Sequence, residues 1–143
     1  CSMAVNWDFN EPWPCAAGNS LINWPCEPKP AYYAVKDALR PTLASIKTGK
    51  NRFLTGERAS AELYILNDSQ GTLSDLKVNA YILKGDKKEL IASGVCPVCA
   101  PRANAKFASF KFDVDETLGT VFNLTLEVEG HPEMNSSYKF IRK

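Results

Sequence analysis

Residues 122–128 read Phe-Asn-Leu-Thr-Leu-Glu-Val, an unbroken alternation of apolar and polar side chains. Successive side chains of a β-strand point to opposite faces of a sheet, so this stretch predicts a strand with one buried side and one solvent-facing side. The same alternation occurs at residues 62–65, 76–82 and 110–114. A period of two therefore decides the fold class of most of the chain.

Turn-forming residues separate these alternating stretches, because glycine, asparagine and aspartate favour the tight bends that connect strands. The predicted turns lie at residues 48–51, 67–71, 84–86 and 129–132. The further apolar segments that complete about seven strands lie at residues 43–46, 89–92 and 138–141. Residues 41–143 are therefore predicted to form an immunoglobulin-like antiparallel β-sandwich, and the fold class is mainly β.

Antibody-type sandwiches contain a core disulfide and a buried tryptophan on the third strand. Both are absent from the predicted sandwich, since all three tryptophans of the chain lie at or before Trp24 and its two cysteines are separated by two residues. We therefore expect the sandwich to be held together by packing alone.

The composition argues against two classes of partner. The chain has 143 residues, of which 45% are hydrophobic, so it is long enough to bury a core. Seventeen basic and sixteen acidic residues give a net charge of +1, which indicates no basic surface for nucleic acid or an anionic membrane. No apolar run approaches the roughly 20 residues that cross a bilayer. We expect neither a nucleic-acid partner nor a membrane partner.

The first 40 residues differ from the rest, because six of the nine prolines lie at or before Pro41 and all three tryptophans precede it. Residues 10–28 are predicted to form an irregular loop. Good helix formers then run from Ala31 to Leu39, where Pro41 ends the pattern. Tyr32, Val35 and Leu39 fall on one face of that helix, and we expect this face to pack inward.

Two motifs resemble a known family. Residues 7–14 read Trp-Asp-Phe-Asn-Glu-Pro-Trp-Pro, and residues 29–36 read Lys-Pro-Ala-Tyr-Tyr-Ala-Val-Lys. Together they resemble the end of the catalytic barrel in glycoside hydrolase family 2, the β-mannosidase and β-galactosidase type. The resemblance implies that residues 1–40 are the remnant of the last strand, loop and helix of a (β/α)8 barrel, and that residues 41–143 are the immunoglobulin-like domain that follows. The family's usual glycine before Lys-Pro is Cys26 in this chain.

The resemblance also implies a function, that of the non-catalytic C-terminal part of an enzyme that hydrolyses O-glycosidic bonds. The chain would close and buttress the barrel, with the remainder of the glycosidase and its carbohydrate substrate as partners. Hydrolysis generally needs two carboxyl groups across the scissile bond, and the family's catalytic pair lies on earlier barrel strands. We therefore assign no catalytic residue, no metal and no cofactor, and expect the isolated chain to be inactive. The resemblance favours a periplasmic or extracellular location.

The candidate substrate-binding residues in the intact enzyme are Trp7, Asn10 and Glu11. An indole ring stacks on the apolar face of a sugar while neighbouring polar groups bind its hydroxyls. Two interpretations of Trp7 stay open, the floor of a sugar subsite and a core aromatic. For Glu11 a structural role, binding backbone N–H groups of the loop, is the preferred interpretation. Trp13 and Trp24 are interpreted as core aromatics beneath the loop.

Two other functions stay open. One is a stand-alone carbohydrate-binding or adhesion β-sandwich. The other is a zinc or redox module at Cys96-Pro97-Val98-Cys99, whose spacing occurs in zinc ribbons and in redox-active thiol pairs. Against the second, the only histidine is His131 and no other close cysteine pair exists. Unpaired thiols or one loop disulfide are the simpler interpretation of the five cysteines.

The resemblance has one physical consequence for the isolated chain. Residues 1–9 are compatible with a strand that has Val5, Trp7 and Phe9 on one side. Without the rest of a barrel, this strand would expose apolar side chains and an unpaired edge. We therefore expect either self-association or packing of this segment in a manner unlike a barrel.

Overall fold

A computed structural model of the chain describes residues 8–15, 18–84 and 87–143. The chain divides into two compact units, Cys1–Arg40 and Pro41–Lys143. The elements of the first unit are β1 (Ile22–Asn23), β2 (Glu27–Pro28) and the helix α1 (Pro30–Ala38). The elements of the second unit are β3 (Thr42–Thr48), β4 (Arg52–Phe53), β5 (Glu57–Asn67), β6 (Leu73–Lys84), β7 (Lys87–Cys99), β8 (Ala103–Val114), β9 (Val121–Val128), a 3-10 helix (Pro132–Met134) and β10 (Ser136–Arg142).

The second unit contains two sheets. One has the strand order β3-β5-β8 and the other the order β4-β10-β9-β6-β7. Neighbouring strands are antiparallel except for the short β4, which pairs in parallel with β10. The predicted mainly β fold, an immunoglobulin-like sandwich, is confirmed. Each of the seven predicted strands is present, and β4 is an additional strand that the alternation did not indicate.

The core of the sandwich is made by the inward-facing residues of the alternating stretches. Leu124 and Leu126 of β9 are fully buried. Phe122 packs on Phe140 of β10 with ring centroids 5.7 Å apart, and Phe53 of β4 lies 5.8 Å from Phe140. Burying a phenylalanine side chain contributes about 1.5–3 kcal/mol, so packing of Phe53 accounts for a strand of only two residues.

Helix α1 begins at Pro30, where a missing N–H costs no hydrogen bond. No residue of the helix is buried, and Leu39, directly after it, is 75% exposed. The expectation that the face with Leu39 packs inward is therefore wrong, since a helical spacing selects a face but does not supply the surface that covers it. No helix among the described residues is long and apolar enough to span a membrane.

The segment predicted as irregular loop contains a small hairpin. Strand β1 pairs with β2 through Ile22 opposite Pro28 and Asn23 opposite Glu27. The Trp24–Pro25 peptide bond at its tip is cis, and Cys26 has a φ of 148°. Glycine adopts such a positive φ without steric cost, unlike cysteine, so Cys26 occupies a conformation suited to the glycine of the family pattern. The predicted first strand falls mostly outside the described residues.

Candidate functional site

Backbone hydrogen bonds bring three short segments of the first unit side by side. Asn10 forms a parallel bridge with Ile22, and the N–H of Ile22 donates to the carbonyl of Phe9 at 3.1 Å. On the other side, the N–H of Lys29 donates to the carbonyl of Leu21 at 2.9 Å. Phe9 and Asn10, which precede the hairpin, and Lys29, which follows it, therefore lie on either side of residues 21–22.

A cluster of polar groups lies where these segments meet, and we call it the Lys29 cluster (Glu11, Gly18, Ser20 and Lys29). The ammonium nitrogen of Lys29 lies 2.9 Å from Glu11 Oε1, 2.9 Å from Ser20 Oγ and 2.9 Å from the carbonyl oxygen of Gly18. The hydroxyl of Ser20 in turn donates to Glu11 Oε1 at 2.8 Å. The Glu11 side chain is only 8% exposed and that of Lys29 is 21% exposed. The three hydrogen-bond donors of the ammonium group thus have three acceptors.

The surroundings of Glu11 keep it ionised. The hydrogen bond from Lys29 is the largest influence and lowers the pKa of the Glu11 carboxyl below its ordinary value, and the Ser20 hydroxyl and the backbone N–H of Trp24 act in the same direction. A carboxylate that is ionised near neutral pH accepts hydrogen bonds but cannot donate a proton. Glu11 is therefore unsuited to act as a general acid.

Gly18 is the position where the cluster is tightest. A Cβ atom added to Gly18 would lie 2.0 Å from Oε1 of Glu11 and 2.8 Å from its carboxyl carbon. Real Cβ atoms do not approach other atoms so closely, so the carboxylate occupies space that any larger residue at position 18 would need. The glycine is required by the cluster itself.

Among the described residues of the first unit, four aromatic side chains are exposed. Phe9 is 61% exposed, Trp13 66%, Trp24 50% and Tyr33 54%. The interpretation of Trp13 and Trp24 as core aromatics beneath the loop is therefore wrong. The interior of the loop is polar instead, since Glu11 and Ser20 are the buried residues there together with Leu21. The first unit presents apolar rings to its surroundings.

The candidate substrate-binding residues have different positions in the structure. Trp7 lies outside the described residues. Asn10 is exposed at the parallel bridge, and its neighbour Glu11 points into the Lys29 cluster. The partners predicted for Glu11 were backbone N–H groups of the loop. The backbone N–H of Trp24 is one such partner, whereas the main partners are side chains.

Sequence reasoning did not identify Lys29, Ser20 or Gly18 as site residues. In the sequence, Lys29 stands out only as the first residue of the second motif. It lies 18 positions from Glu11 and 11 from Gly18, and no helical or strand periodicity relates such positions. The sequence offers one indirect signal. Buried charged side chains are almost always paired, so a buried Glu11 would have required a basic partner nearby.

The two cysteines of β7 face the core of the sandwich. Cys96 and Cys99 are both buried, and burial raises the pKa of each thiol. Reactive thiols have lowered pKa values and exposed positions, so the redox hypothesis loses support. Across residues 8–15, 18–84 and 87–143, no three His, Cys, Asp or Glu side chains are grouped so that they could hold a metal ion.

An open cleft lies in the sandwich unit, at the end where β6, β7 and β8 approach each other. It has a volume of about 310 Å³ and is lined by charged residues of both signs. The ammonium group of Lys84 lies 3.1 Å from Glu89 and 3.7 Å from Asp115. The charges of Lys84 and its two carboxylate partners therefore compensate one another in part.

The fold and the exposed aromatic loop define the class of this protein as an immunoglobulin-like β-sandwich preceded by a small aromatic unit. No family model matches the sequence, and no curated protein matches it. Among solved structures, the β-D-mannosidase from Dictyoglomus thermophilum is similar over 94% of this chain, with a TM-score of 0.65 and 19% sequence identity. The match covers 16% of the mannosidase chain, so this chain corresponds to a small part of that enzyme.

A second group of similar structures matches less of this chain. The crystal structure of the CARDB domain of the PF1109 protein from Pyrococcus furiosus, in complex with di-metal ions, is similar over 71% of this chain and 87% of that domain, with a TM-score of 0.56 and 13% identity. The solution structure of the same domain gives a TM-score of 0.54 over 94% of its length. At such low identity these similarities establish the fold alone. The sandwich therefore has a fold similar to that of the CARDB domain and to that of a part of the mannosidase.

Proposed function

We propose that this chain is the non-catalytic C-terminal part of a glycosidase of the family 2 type. The observation that carries the proposal is the extent of the mannosidase match. The sandwich unit, Pro41–Lys143, makes up less than three quarters of the chain, so a match over 94% must extend well into the first unit. The likeness to the mannosidase therefore includes the aromatic loop region as well as the sandwich.

The exposed aromatic residues of the first unit support this proposal. Soluble monomers rarely expose large apolar patches, and such patches mark surfaces that bind a partner. Phe9, Trp13, Trp24 and Tyr33 are each at least half exposed, and α1 has no buried residue. In the proposed enzyme, these side chains would pack against the remainder of the barrel, which would make the first unit part of a larger core.

The proposed contact with sugar involves Trp7, Asn10 and Glu11. Trp7 would stack on a sugar ring, and Asn10, which is exposed, would bind hydroxyl groups. Glu11 is committed to the Lys29 cluster, so its part would be to hold Asn10 and the adjoining loop in place. Two carboxyl groups across a glycosidic bond are generally needed for hydrolysis, and the catalytic pair would come from the preceding part of the enzyme.

A second function, from a different class, is a stand-alone carbohydrate-binding or adhesion module. The observation that favours it is the CARDB similarity, which extends over 87% of that domain. In this alternative, the exposed tryptophans Trp13 and Trp24 would be a binding platform for glycan in the isolated chain. The first unit would then bind glycan without any other part of an enzyme.

Calorimetric titration of the chain with β-linked mannosides, glucosides and galactosides distinguishes the two functions. We expect neither saturable binding nor turnover of chromogenic glycosides, because the proposed pocket needs the rest of the barrel. Saturable binding that is lost in Trp13→Ala or Trp24→Ala, and retained in the control variant Tyr81→Ala on β6, would favour the binding module instead. Turnover would overturn the proposal.

We also propose that the exposed aromatic side chains of the first unit cause the isolated chain to self-associate. Sedimentation of the same samples would test this.

A further inference from the structure

The Lys29 cluster differs from the other ion pairs of the described residues in its surroundings. In the sandwich unit, the pair Lys77–Glu129 is typical, with both side chains about half exposed. Such pairs contribute little to stability because water screens them. The Glu11 carboxylate is instead almost fully buried, and a buried charge is costly unless it is paired and hydrogen-bonded. The loop carries this cost together with a complete set of partners.

The cluster joins positions that enclose most of the loop. Glu11 and Lys29 are 18 residues apart, and Gly18 and Ser20 lie between them. The two exposed tryptophans, Trp13 and Trp24, lie within this interval. Closing a flexible loop removes conformational freedom from everything inside it. The four-residue cluster therefore fixes the loop from within while the indole rings lie outside.

Trp24 lies at the tip of the hairpin that leads to the cluster, because Asn23 pairs with Glu27 and the N–H of Lys29 donates to the carbonyl of Leu21 at 2.9 Å. The backbone N–H of Trp24 also lowers the pKa of the Glu11 carboxyl. Trp13 lies two residues after Glu11. If the ion pair breaks, the buried carboxylate loses its counter-charge. It then either moves out to water, which displaces the loop, or stays buried and takes up a proton, which weakens the hydrogen bonds that it accepts from the loop. The positions of both tryptophans therefore depend on the pairing of Glu11.

We propose that Lys29 is a positioning residue, whose ammonium group, paired with Glu11, holds the loop so that Trp13 and Trp24 form a fixed surface before any partner binds. The partner of this surface rests on the proposed function: it would be the rest of the glycosidase, next to the sugar site. The arrangement of the loop is a property of this chain alone. Holding the surface in its bound form beforehand reduces the entropy cost of binding.

The proposal predicts a pH dependence with a definite sign. The groups that face Glu11 are the Lys29 ammonium, the Ser20 hydroxyl and the backbone N–H of Trp24, and all three lower its pKa. A group with a lowered pKa in the folded state stabilises that state above its unfolded pKa, and this contribution is lost as the pH falls through the folded pKa. The loop is therefore held at neutral pH and is released in acid, as the pH falls through the lowered pKa of Glu11.

The experiment follows Trp24 in the full chain with Trp7 and Trp13 replaced by phenylalanine. All three tryptophans lie in the first unit, so indole fluorescence reports on that unit and far-UV circular dichroism chiefly on the sandwich. In Lys29→Met we expect lower Trp24 anisotropy, about twofold stronger acrylamide quenching and no acid transition in fluorescence. Lys29→Arg retains the charge and should keep the parent's pH profile. Lys36→Met, at an exposed lysine of α1, is the matched control.

A second variant tests the cluster without removing a charge. Gly18→Ala places a methyl group 2.0 Å from Glu11 Oε1 and should release Trp24 as Lys29→Met does, while Gly49→Ala, whose Cβ meets no atom within 4 Å, should not. Anisotropy and pH profiles equal to those of the parent in both Lys29→Met and Gly18→Ala would overturn the inference. That result would leave the proposed function standing, whereas glycoside turnover by the chain would overturn the function and leave the loop measurement unaffected.

Discussion

Asn67, the last residue of β5, provides a quantitative test of the sandwich unit. Its side chain is buried, with 2% exposure. The amide nitrogen donates to the carbonyls of Gly71 at 2.8 Å, Ala100 at 3.0 Å and Cys99 at 3.1 Å. The amide oxygen accepts from the N–H of Ser69 at 3.1 Å and from its hydroxyl at 2.7 Å. One side chain thus joins the turn after β5 to the turn between β7 and β8.

The expected loss in Asn67→Ala follows from these contacts. The amide nitrogen has two hydrogens, so its three contacts amount to about two hydrogen bonds, and the amide oxygen adds two more. At about 1 kcal/mol for each of these four hydrogen bonds, we expect the free energy of unfolding to fall by about 3–5 kcal/mol. This is a large part of the roughly 5–15 kcal/mol that stabilises a typical domain.

Urea unfolding followed by far-UV circular dichroism measures this loss. The control is Asn104→Ala, at an exposed asparagine of β8, which should change stability by no more than about 0.5 kcal/mol. The slope of the transition should be unchanged in both variants, because the surface exposed on unfolding is the same. A loss in Asn67→Ala within about 1 kcal/mol of the control would refute the reasoning, since each hydrogen bond would then contribute almost nothing.

Asn67→Asp separates the hydrogen bonds from the packing, because it keeps the shape of the side chain. A carboxylate at this position would face three carbonyl oxygens, so its pKa would be raised in the folded state. The sign is therefore opposite to that for Glu11. The variant should be most stable below about pH 4 and should lose stability as the pH rises through the folded pKa. A deficit that does not change with pH would contradict this account.

Two further predictions concern the cysteines. Cys26→Gly should stabilise the first unit by about 1 kcal/mol, because glycine relieves the strain of the positive φ. This gain should exceed the cost of the larger conformational entropy that glycine gives the unfolded chain. A shift of the unfolding transition, followed by tryptophan fluorescence, to lower urea would contradict this. In site-resolved thiol labelling of the native chain, Cys15 and Cys26, which are exposed, should react at least about a hundredfold faster than Cys96 and Cys99, which are buried. Equal labelling rates at these four thiols would show that the part of β7 that contains Cys96 and Cys99 opens readily.

The sandwich was predictable from sequence because its signal is local. Residues such as Leu124 and Leu126 alternate with polar neighbours, and this alternation is present whichever strands pair with β9. The short strand β4 was missed because two residues carry no period. Phe53 lies in it only because three distant phenylalanines surround its ring.

The first unit was less predictable, because its organisation is not periodic. The sequence indicated a helix near Pro30, and the helix is present. It gave the wrong surroundings for Trp13 and Trp24, since aromatic side chains usually lie inside and the sequence does not show that a polar cluster occupies the interior. Lys29 was overlooked for the same reason.

The sequence by itself determined the mainly β class, the strands of the sandwich and the helix near Pro30, since periodicity and turn residues act over a few neighbouring positions. Tertiary structure alone decided which groups meet. It placed the Lys29 ammonium beside Glu11, 18 residues away, and it joined Asn67 to Cys99 and Ala100 across more than 30 residues. Such contacts depend on how the whole chain closes on itself, and no short-range pattern records them.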